Sequence, residues 1–119
     1  MIYKQFDVVV VPFPFTDRTA DKRRPALIMS DEEHFNKPSG HCVLSMITSQ
    51  KHPDWPLDVP ITAMRKTGLA TPSKVRMKLF TLDRRLIVKK IGLLSTKDQK
   101  AVCNALRILF PKQSPRKTD

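Results

Sequence analysis

The stretch that decides the fold is DVVVVPFPFTDRTADKRRPALIMS, residues 7–30. Its β-branched residues 8–11 lead into a charged segment, residues 16–24, and a second apolar run covers residues 25–29. β-branched runs bounded by turn residues predict strands, so two strands carry a cationic loop between them. Arg24 lies where the second strand begins, and a guanidinium fixed there presents forked donors that suit a phosphate. The stretch therefore predicts a β fold that offers a positive loop to an RNA or DNA backbone.

Shorter apolar runs predict the remaining strands. Residues 73–82 alternate in polarity, which places Lys74, Arg76 and Lys78 on one outer, cationic face of a half-buried strand. The other predicted strands cover residues 6–15, 25–30, 41–49, 57–61 and 87–91, with loops over residues 18–24, 31–40 and 50–56 and a single helical turn over residues 62–68.

The clearest helix is the last element. Ser95 or Thr96 can cap its N-terminus, Gln99 stands three residues after Thr96, and Pro111 ends it. Several short strands followed by one helix predict a mainly β fold, a small and strongly bent antiparallel barrel with a C-terminal helix. An edge left open by such a barrel favours a dimer. The apolar face of the helix is expected to comprise Ala101, Val102, Ala105, Leu106, Ile108 and Leu109.

Positive charge is concentrated in the second half of the chain. Of the 119 residues, residues 1–59 carry a net charge of −1 and residues 60–119 carry +12. A segment this cationic attracts polyanions through counterion release. Charge alone also fits a basic surface without a specific partner, because net charge determines association and not fold.

Other residue types exclude several classes of protein. Cys42 and Cys103 lie far apart, which predicts buried thiols in a reducing compartment. His34, His41 and His52 lack the spacing of metal ligands. No signal peptide is expected, and no apolar run approaches the roughly 18 residues of a spanning helix. We therefore expect a cytoplasmic protein that needs no metal or other cofactor and contacts no membrane.

A set of short motifs follows a recognisable order along residues 6–110. In that order and spacing the chain resembles the MazF/PemK toxins of bacterial type II toxin–antitoxin systems. The toxin domain is expected over residues 1–111, with residues 112–119 as a polar, disordered tail. The motifs are Asp7-Val8-Val9, Pro12-Phe13-Pro14-Phe15, Arg24-Pro25-Ala26-Leu27, Ile47-Thr48-Ser49, Gly68-Leu69, Pro72-Ser73, Phe80-Thr81-Leu82-Asp83, and Lys90-Ile91-Gly92 with Leu94-Ser95.

The resemblance implies an SH3-like barrel, a homodimer and a metal-independent endoribonuclease. Such an mRNA interferase cuts single-stranded mRNA when a ribose 2′-OH attacks the adjacent phosphate, leaving a 2′,3′-cyclic phosphate and a 5′-OH. The resemblance also implies a cognate antitoxin whose C-terminal segment lies along the RNA-binding groove. DNA is expected as a partner only through a toxin–antitoxin complex.

Two catalytic positions carry over from the family. The arginine of its Arg-Pro motif falls on Arg24, and the threonine of its Ile-Thr motif falls on Thr48. We expect Arg24 to stabilise the charged phosphorane, since a guanidinium is too basic to accept a proton, and Thr48 to hold a phosphate oxygen. His34 and His52, in polar loops, are candidate proton shuttles near neutral pH. The residues expected to contact RNA are Arg18, Lys22, Arg23, Ser49, Gln50, Trp55, Arg76 and Lys78.

One loop and two single positions depart from the family pattern. The loop of residues 18–23 is more cationic here than in the family, where serine, glutamate and glycine often precede the arginine. Phe6 stands where a glycine usually precedes the Asp-Val start. Lys78 stands two residues after Arg76, where some relatives carry an acid, so one carboxylate route for proton transfer is missing.

Other interpretations stay open at this point. Arg24 could simply pair with Asp17 or Asp21 across the loop, and the Thr48 hydroxyl could satisfy a turn at a strand end. The alternative functions are a non-catalytic barrel that binds nucleic acid and a toxin of the same fold that poisons DNA gyrase. A pure binder would shift labelled RNA without fragmenting it.

Overall fold

The computed structural model describes residues 1–12 and 22–118. Within these ranges six strands and two helices follow one another along the chain. The strands are β1 (Asp7–Pro12), β2 (Arg23–Ile28), β3 (His41–Ser49), β4 (Val59–Pro60), β5 (Ser73–Asp83) and β6 (Lys89–Leu93); the helices are α1 (Lys37–Ser39, preceded by a π-helical turn at Glu32–Asn36) and α2 (Thr96–Leu109), and a 3₁₀ turn covers Arg84–Leu86.

The six strands form one antiparallel sheet in the order β4-β5-β3-β2-β1-β6. The strands β1 and β2 pair with each other, and they also pair with β6 and β3 on their outer sides. The two apolar runs of residues 7–30 therefore lie at the centre of the sheet. The sheet curls into a half-barrel with a C-terminal helix, which confirms the predicted mainly β, strongly bent fold.

Both faces of the central strands are buried, which accounts for the unbroken valine run of β1. Val8 and Leu27 belong to a large apolar cluster that helix α2 covers. Val9 and Val11 belong to a second cluster on the opposite face of the sheet. Each of these four side chains is inaccessible to solvent. Burial of one such side chain contributes about 1.5–3 kcal/mol, so this stretch supplies much of the folding free energy.

Helix α2 begins as the sequence predicts. Ser95 is its N-cap, and the Ser95 hydroxyl oxygen accepts a hydrogen bond from the Asp98 N–H at 3.2 Å. Val102 is buried in the large cluster, as its periodicity requires. Ile108 was expected on the same apolar face, but it is 67% exposed. The last helical member of the cluster is Leu106, so the final turn of α2 extends past the core.

Asp98 ties α2 to the loop that follows β4. Its carboxylate accepts hydrogen bonds from the Thr62 N–H at 3.0 Å, the Thr62 hydroxyl at 2.7 Å and the Ala63 N–H at 3.1 Å. Burial raises the pKa of Asp98, but these hydrogen bonds outweigh burial, so the pKa lies below its ordinary value. The ionised carboxylate therefore stabilises the folded chain.

Replacing Asp98 by asparagine is expected to destabilise the protein by about 2 kcal/mol at pH 7, because hydrogen bonds to a charged acceptor are lost. The pKa of Asp98 is lower in the folded state than in the unfolded state. The stabilisation by its carboxylate is therefore fully present above the unfolded-state pKa and is lost as the pH falls through the folded-state pKa. The difference in unfolding free energy between wild type and Asp98→Asn should thus shrink in acid. Urea denaturation at pH 7 and at about pH 3 measures it.

The matched control for that measurement is Glu33→Gln, which removes an exposed carboxylate. It should change the unfolding free energy by no more than about 0.5 kcal/mol at either pH. An Asp98→Asn variant as stable as this control would show that the contact between helix and loop contributes nothing.

Several predicted elements differ from the structure. Strand β6 covers Lys89–Leu93 and not residues 87–91, and residues 62–68, where a helical turn was expected, form no helix. Residues 31–40 were expected to be a loop, but they form the π-helical turn and α1, because Asp31 caps the turn and Asn36 is buried beneath it. Strand β2 begins at Arg23, two residues before its predicted start. The strand predicted at residues 57–61 is reduced to Val59–Pro60.

Several general features complete the fold. Cys42 is buried, Cys103 is half-buried, and both are free thiols. Among residues 1–12 and 22–118, none of the helices has the length and apolar character needed to cross a bilayer. The same residues contain no group of three or more His, Cys, Asp or Glu side chains arranged to hold a metal ion. Residues 112–118 form neither helix nor strand.

Candidate functional site

An open groove of about 680 Å³ runs across the ends of β2, β3 and β5. The loop between β3 and β4 (residues 50–58, called the β3–β4 loop) forms one wall, and residues 68–71 form another. Four cationic side chains line it, whereas none of the lining residues that the structure describes is Asp or Glu. The groove therefore presents a positive surface that suits a polyanion. The four cations are Arg23, Arg24, Arg76 and Lys78.

Arg24 and Thr48 both line this groove. Arg24 is half-buried on β2, paired across the sheet with Val11 of β1. The β2–β3 register pairs Ala26 with Met46, and continuing it by two residues brings Arg24 level with Thr48. Two neighbouring strands thus deliver a guanidinium and a hydroxyl to the same part of the groove. Asp17 and Asp21, the alternative partners for Arg24, lie outside the described residues.

Thr48 is hydrogen-bonded to a histidine. The distance between Thr48 Oγ1 and His52 Nδ1 is 2.6 Å, and His52 also lines the groove. The backbone N–H of His52 donates to the Ser49 carbonyl at 3.1 Å, which turns the chain back over the end of β3. A hydroxyl and an exposed imidazole are therefore placed side by side in the lining of the groove.

A buried lysine supports the β3–β4 loop from below. The Lys74 ammonium donates to the His52 carbonyl at 2.5 Å and to Asp54 Oδ1 at 2.7 Å, and it lies 3.8 Å from Asp58 Oδ2. Lys74 is only 1% exposed, although strand alternation predicted an outer, cationic position for it. That prediction was wrong because the β3–β4 loop folds over this face of β5.

Arg76 is the next residue on the same face of β5, and it too is held by the loop. Its guanidinium donates to both carboxylate oxygens of Asp58, at 3.2 and 2.9 Å, and to the Pro53 carbonyl at 2.7 Å. Burial raises the pKa of Asp58, but the hydrogen bonds from Arg76 and from the Trp55 N–H outweigh burial and lower it overall. The pair stays charged at neutral pH and fixes the loop to the strand.

Trp55 lies over two cations of β5, Arg76 and Lys78, at the rim of the groove. The centroid of its ring lies 4.6 Å from the central guanidinium carbon of Arg76 and 5.9 Å from the Lys78 ammonium. The side chain is still 43% exposed. Cation–π contacts hold one part of the indole while the rest faces solvent.

Two glycines set the opposite wall. Gly68 has φ +75°, and a Cβ there would collide with the Ile91 carbonyl of β6. A Cβ on Gly92 would meet the backbone of Lys66 and Thr67. The Leu93 N–H donates to the Lys66 carbonyl at 2.9 Å across this close approach. The segment that leads into residues 68–71 is therefore packed directly on β6.

The sequence profile of the PemK-like, MazF-like toxins of type II toxin–antitoxin systems matches residues 4–110. The chain belongs to this family. A search among curated proteins finds no significant match.

Solved structures of family members share the fold. A MazE–MazF complex from Deinococcus radiodurans superimposes with a TM-score of 0.73 at 19% identity, covering 95% of this chain and 99% of that one. The Mycobacterium tuberculosis toxin MazF-mt6 gives 0.68 at 23% identity, covering 87% and 95%. An endoribonuclease bound to its cognate antitoxin, from a mycobacterial species, gives 0.71 at 15% identity, covering 96% and 98%. At these identities the likeness shows the fold alone.

One departure from the family pattern has a structural consequence. Phe6, where the MazF/PemK pattern usually has glycine, adopts φ +74°. This is the left-handed region that costs a residue with a side chain about 1–2 kcal/mol. The Phe6 ring is buried in the large apolar cluster, and this burial offsets the strain. The chain therefore adopts a left-handed conformation at this position without a glycine.

The structure brings together some of the predicted RNA contacts and separates others. Gln50 donates its side-chain amide to the Ser73 carbonyl at 3.1 Å, so it holds the strand ends together. Lys22 is exposed but is not among the groove residues, and Arg18 lies outside the described residues. His34 pairs with Asp31 on another surface. His52 was considered only as one of two loop histidines, because nothing in the sequence ties it to Thr48. The predicted contacts that do line the groove are Arg23, Ser49, Trp55, Arg76 and Lys78.

Proposed function

We propose that this chain is a toxin-type, metal-independent endoribonuclease that cuts single-stranded mRNA. The observation that carries the proposal is the convergence of Arg24 and Thr48 on an open groove lined by four cations and, among the described residues, by no carboxylate. Family membership adds support, because these are the two positions that its motifs imply for catalysis.

The proposed reaction uses the ribose 2′-OH as the nucleophile. Its oxygen attacks the adjacent phosphorus, a phosphorane forms with additional negative charge, and the bond from phosphorus to the 5′ oxygen breaks. The products are a 2′,3′-cyclic phosphate and a 5′-OH. Because charge accumulates on the phosphorane oxygens, a guanidinium fixed beside them lowers the barrier, and Arg24 has this role. Thr48 donates its hydroxyl proton to a phosphate oxygen and positions the phosphate.

The remaining groove residues would bind the RNA strand on either side of the reacting phosphate. Arg23 and Lys78 supply charge for backbone contacts. Trp55, with its ring partly exposed and backed by Arg76, offers a surface on which an unpaired base can stack. Bases are available for stacking only when they are unpaired, so the arrangement favours single-stranded RNA.

We further propose a cognate antitoxin that occupies the same groove, a homodimer as the active species and a cytoplasmic location. Two of the similar solved structures are complexes of a toxin with its antitoxin. An acidic antitoxin segment would meet the same four cations that attract RNA.

The test is incubation of the purified protein with a long single-stranded RNA in the presence of EDTA. Cleavage should proceed without metal, and the fragments should carry 2′,3′-cyclic phosphate and 5′-OH ends. A DNA strand of the same sequence should stay intact, since it lacks the nucleophile. A shifted band without fragments would instead identify the non-catalytic binder. Intact RNA together with gyrase-dependent DNA breaks would identify the gyrase poison.

A further inference from the structure

We propose that His52 is the general base that removes the proton from the attacking 2′-OH. This inference rests on the proposed function and assigns a group to the first of the two proton transfers that Arg24 and Thr48 leave unassigned. Arg24 cannot accept a proton at neutral pH, and Thr48 has no acceptor of sufficient basicity in its own side chain. The carboxylate expected two residues after Arg76 in some relatives is Lys78 here.

Two contacts hold the backbone of His52, and a third holds its ring. Its backbone N–H donates to the Ser49 carbonyl at 3.1 Å, and its carbonyl accepts from the buried Lys74 ammonium at 2.5 Å. Its Nδ1 lies 2.6 Å from Thr48 Oγ1. An ordinary loop histidine has no such support, whereas a general base must be held within hydrogen-bond reach of its proton.

The contact with Thr48 also selects the tautomer that a base needs. If Thr48 gives its one hydroxyl proton to the phosphate, its oxygen can only accept from His52, so Nδ1 must carry the ring proton. The lone pair of the neutral imidazole is then on Nε2. Two consecutive hydrogen bonds therefore share the Thr48 hydroxyl. His52 Nδ1–H donates to Thr48 Oγ1, which prepares the base, and Thr48 Oγ1–H donates to the phosphate, which positions it.

The step balances as follows. Nε2 of His52 takes the 2′-OH proton as the bond between the 2′ oxygen and phosphorus forms. The bond from phosphorus to the 5′ oxygen breaks with its electron pair, and the leaving oxygen takes a proton from water. The imidazolium then returns its proton to solvent, so the cleavage consumes no net proton and needs no oxidant or metal.

The neighbours of His52 are mostly cationic. Arg24 faces the groove from β2, and Arg76 and Lys78 face it from β5. Behind the loop, Lys74 is bonded to Asp54 and lies near Asp58. Of these types of side chain, imidazole is the one that ordinarily changes charge between about pH 5 and 8. An acidic limb in the rate profile that disappears when His52 is replaced would thus report this side chain.

The variant that tests the proposal is His52→Asn. The asparagine amide can still donate to Thr48 from near the Nδ1 position, but it has no atom in place of Nε2. We expect kcat to fall by about 10²–10³-fold, with KM changed by no more than about threefold. In wild type kcat/KM should rise with one deprotonation, and in His52→Asn this acidic limb should be absent. Free imidazole should restore cleavage by His52→Gly in proportion to its neutral form.

Three outcomes would overturn the assignment. His52→Asn could cut RNA at nearly the wild-type rate, or lose activity while keeping the acidic limb, or His52→Gly could fail to respond to imidazole while its thermal unfolding matches wild type. Wild-type protein is the internal reference: if it cuts RNA, the proposed function stands and only the role of His52 is tested. If wild type cuts no RNA, the proposed function fails, and this role fails with it.

Discussion

Replacing Arg24 by alanine should reduce the rate of RNA cleavage at saturating substrate by about 10²–10³-fold, the loss typical of one preorganised charge donor. The guanidinium is needed most when the phosphorane carries its additional charge, so kcat should fall much more than KM rises. Arg24 is half-buried near the start of β2, and the buried residues of that strand are the later ones, 26–28. Its loss should therefore change the unfolding free energy by about 1 kcal/mol or less. Single-turnover cleavage of an RNA substrate, with urea denaturation alongside, measures both.

The matched control is Arg23→Ala on the same strand. Arg23 is exposed and lines the same groove, so it can contact the RNA backbone without reaching the reacting phosphate. Its loss should mainly weaken binding and lower the dependence of binding on salt. Arg24→Lys should fall between wild type and alanine, because it keeps the charge and loses the forked donors. An Arg24→Ala variant that cuts as fast as Arg23→Ala would contradict the assignment of Arg24.

The elements that the sequence predicted well are those with a strong periodic pattern. Strand β3 has its predicted bounds, residues 41–49, and α2 is capped by Ser95, one of its two predicted candidates. Helix α2 buries one face in the large cluster, and β3 contributes side chains to both clusters, so each pattern reflects burial that a sequence displays directly. Arg24 and Thr48 followed from the resemblance, and the strand pairing then placed both in one groove.

Beside the groove, the mispredicted position of Lys74 depends on the β3–β4 loop, which no periodicity describes. The alternation of polar and apolar residues in β5 predicts that Lys74 lies on the outer face of the strand. The β3–β4 loop covers that face, so Lys74 is buried against the loop. The same loop brings His52 to Thr48, a contact of 2.6 Å that follows from the chain reversal after Ser49. A sequence shows which side of a strand a residue occupies, but not whether a distant loop buries that side.

The role of Arg76 also changes for this reason. It was expected to guide the RNA backbone from an exposed strand face. Its side chain is 12% exposed, and its donors bind Asp58 and the Pro53 carbonyl. The contact of Arg76 with RNA stays a prediction. In the structure Arg76 supports the Trp55 ring and the β3–β4 loop.

Replacing Lys74 by methionine should destabilise the fold by about 1–3 kcal/mol, the cost of leaving the His52 carbonyl without its donor, because Asp58 keeps its bond to Arg76 and Asp54 is open to water. Methionine fills a similar volume but cannot donate. The substitution leaves the His52 carbonyl without its donor and deprives Asp58, which is 5% exposed, of one of its two cations. Urea denaturation at pH 7 measures the loss, since a change in midpoint at constant slope reports stability.

The controls separate a buried network from general charge effects. Lys78→Met, on the same face of β5 but half-buried over Trp55, should cost about 1 kcal/mol or less. Asp54→Asn should also cost little, because Asp54 is 83% exposed and water can replace the ion pair. If the three variants were equally stable, Lys74 would add nothing beyond an ordinary surface lysine.

The same substitution should impair cleavage even where the chain is fully folded. Lys74 acts on the reaction through the main chain of His52, so its loss should release the imidazole from Thr48 and loosen Trp55 at the groove rim. We expect kcat to fall about tenfold or more at a temperature well below unfolding, because small displacements of positioned groups are costly. RNA binding should persist, since the lysine itself faces no substrate. A folded Lys74→Met protein with the wild-type kcat would show that the loop keeps its shape without this support, and the link from buried charge to groove geometry would be wrong.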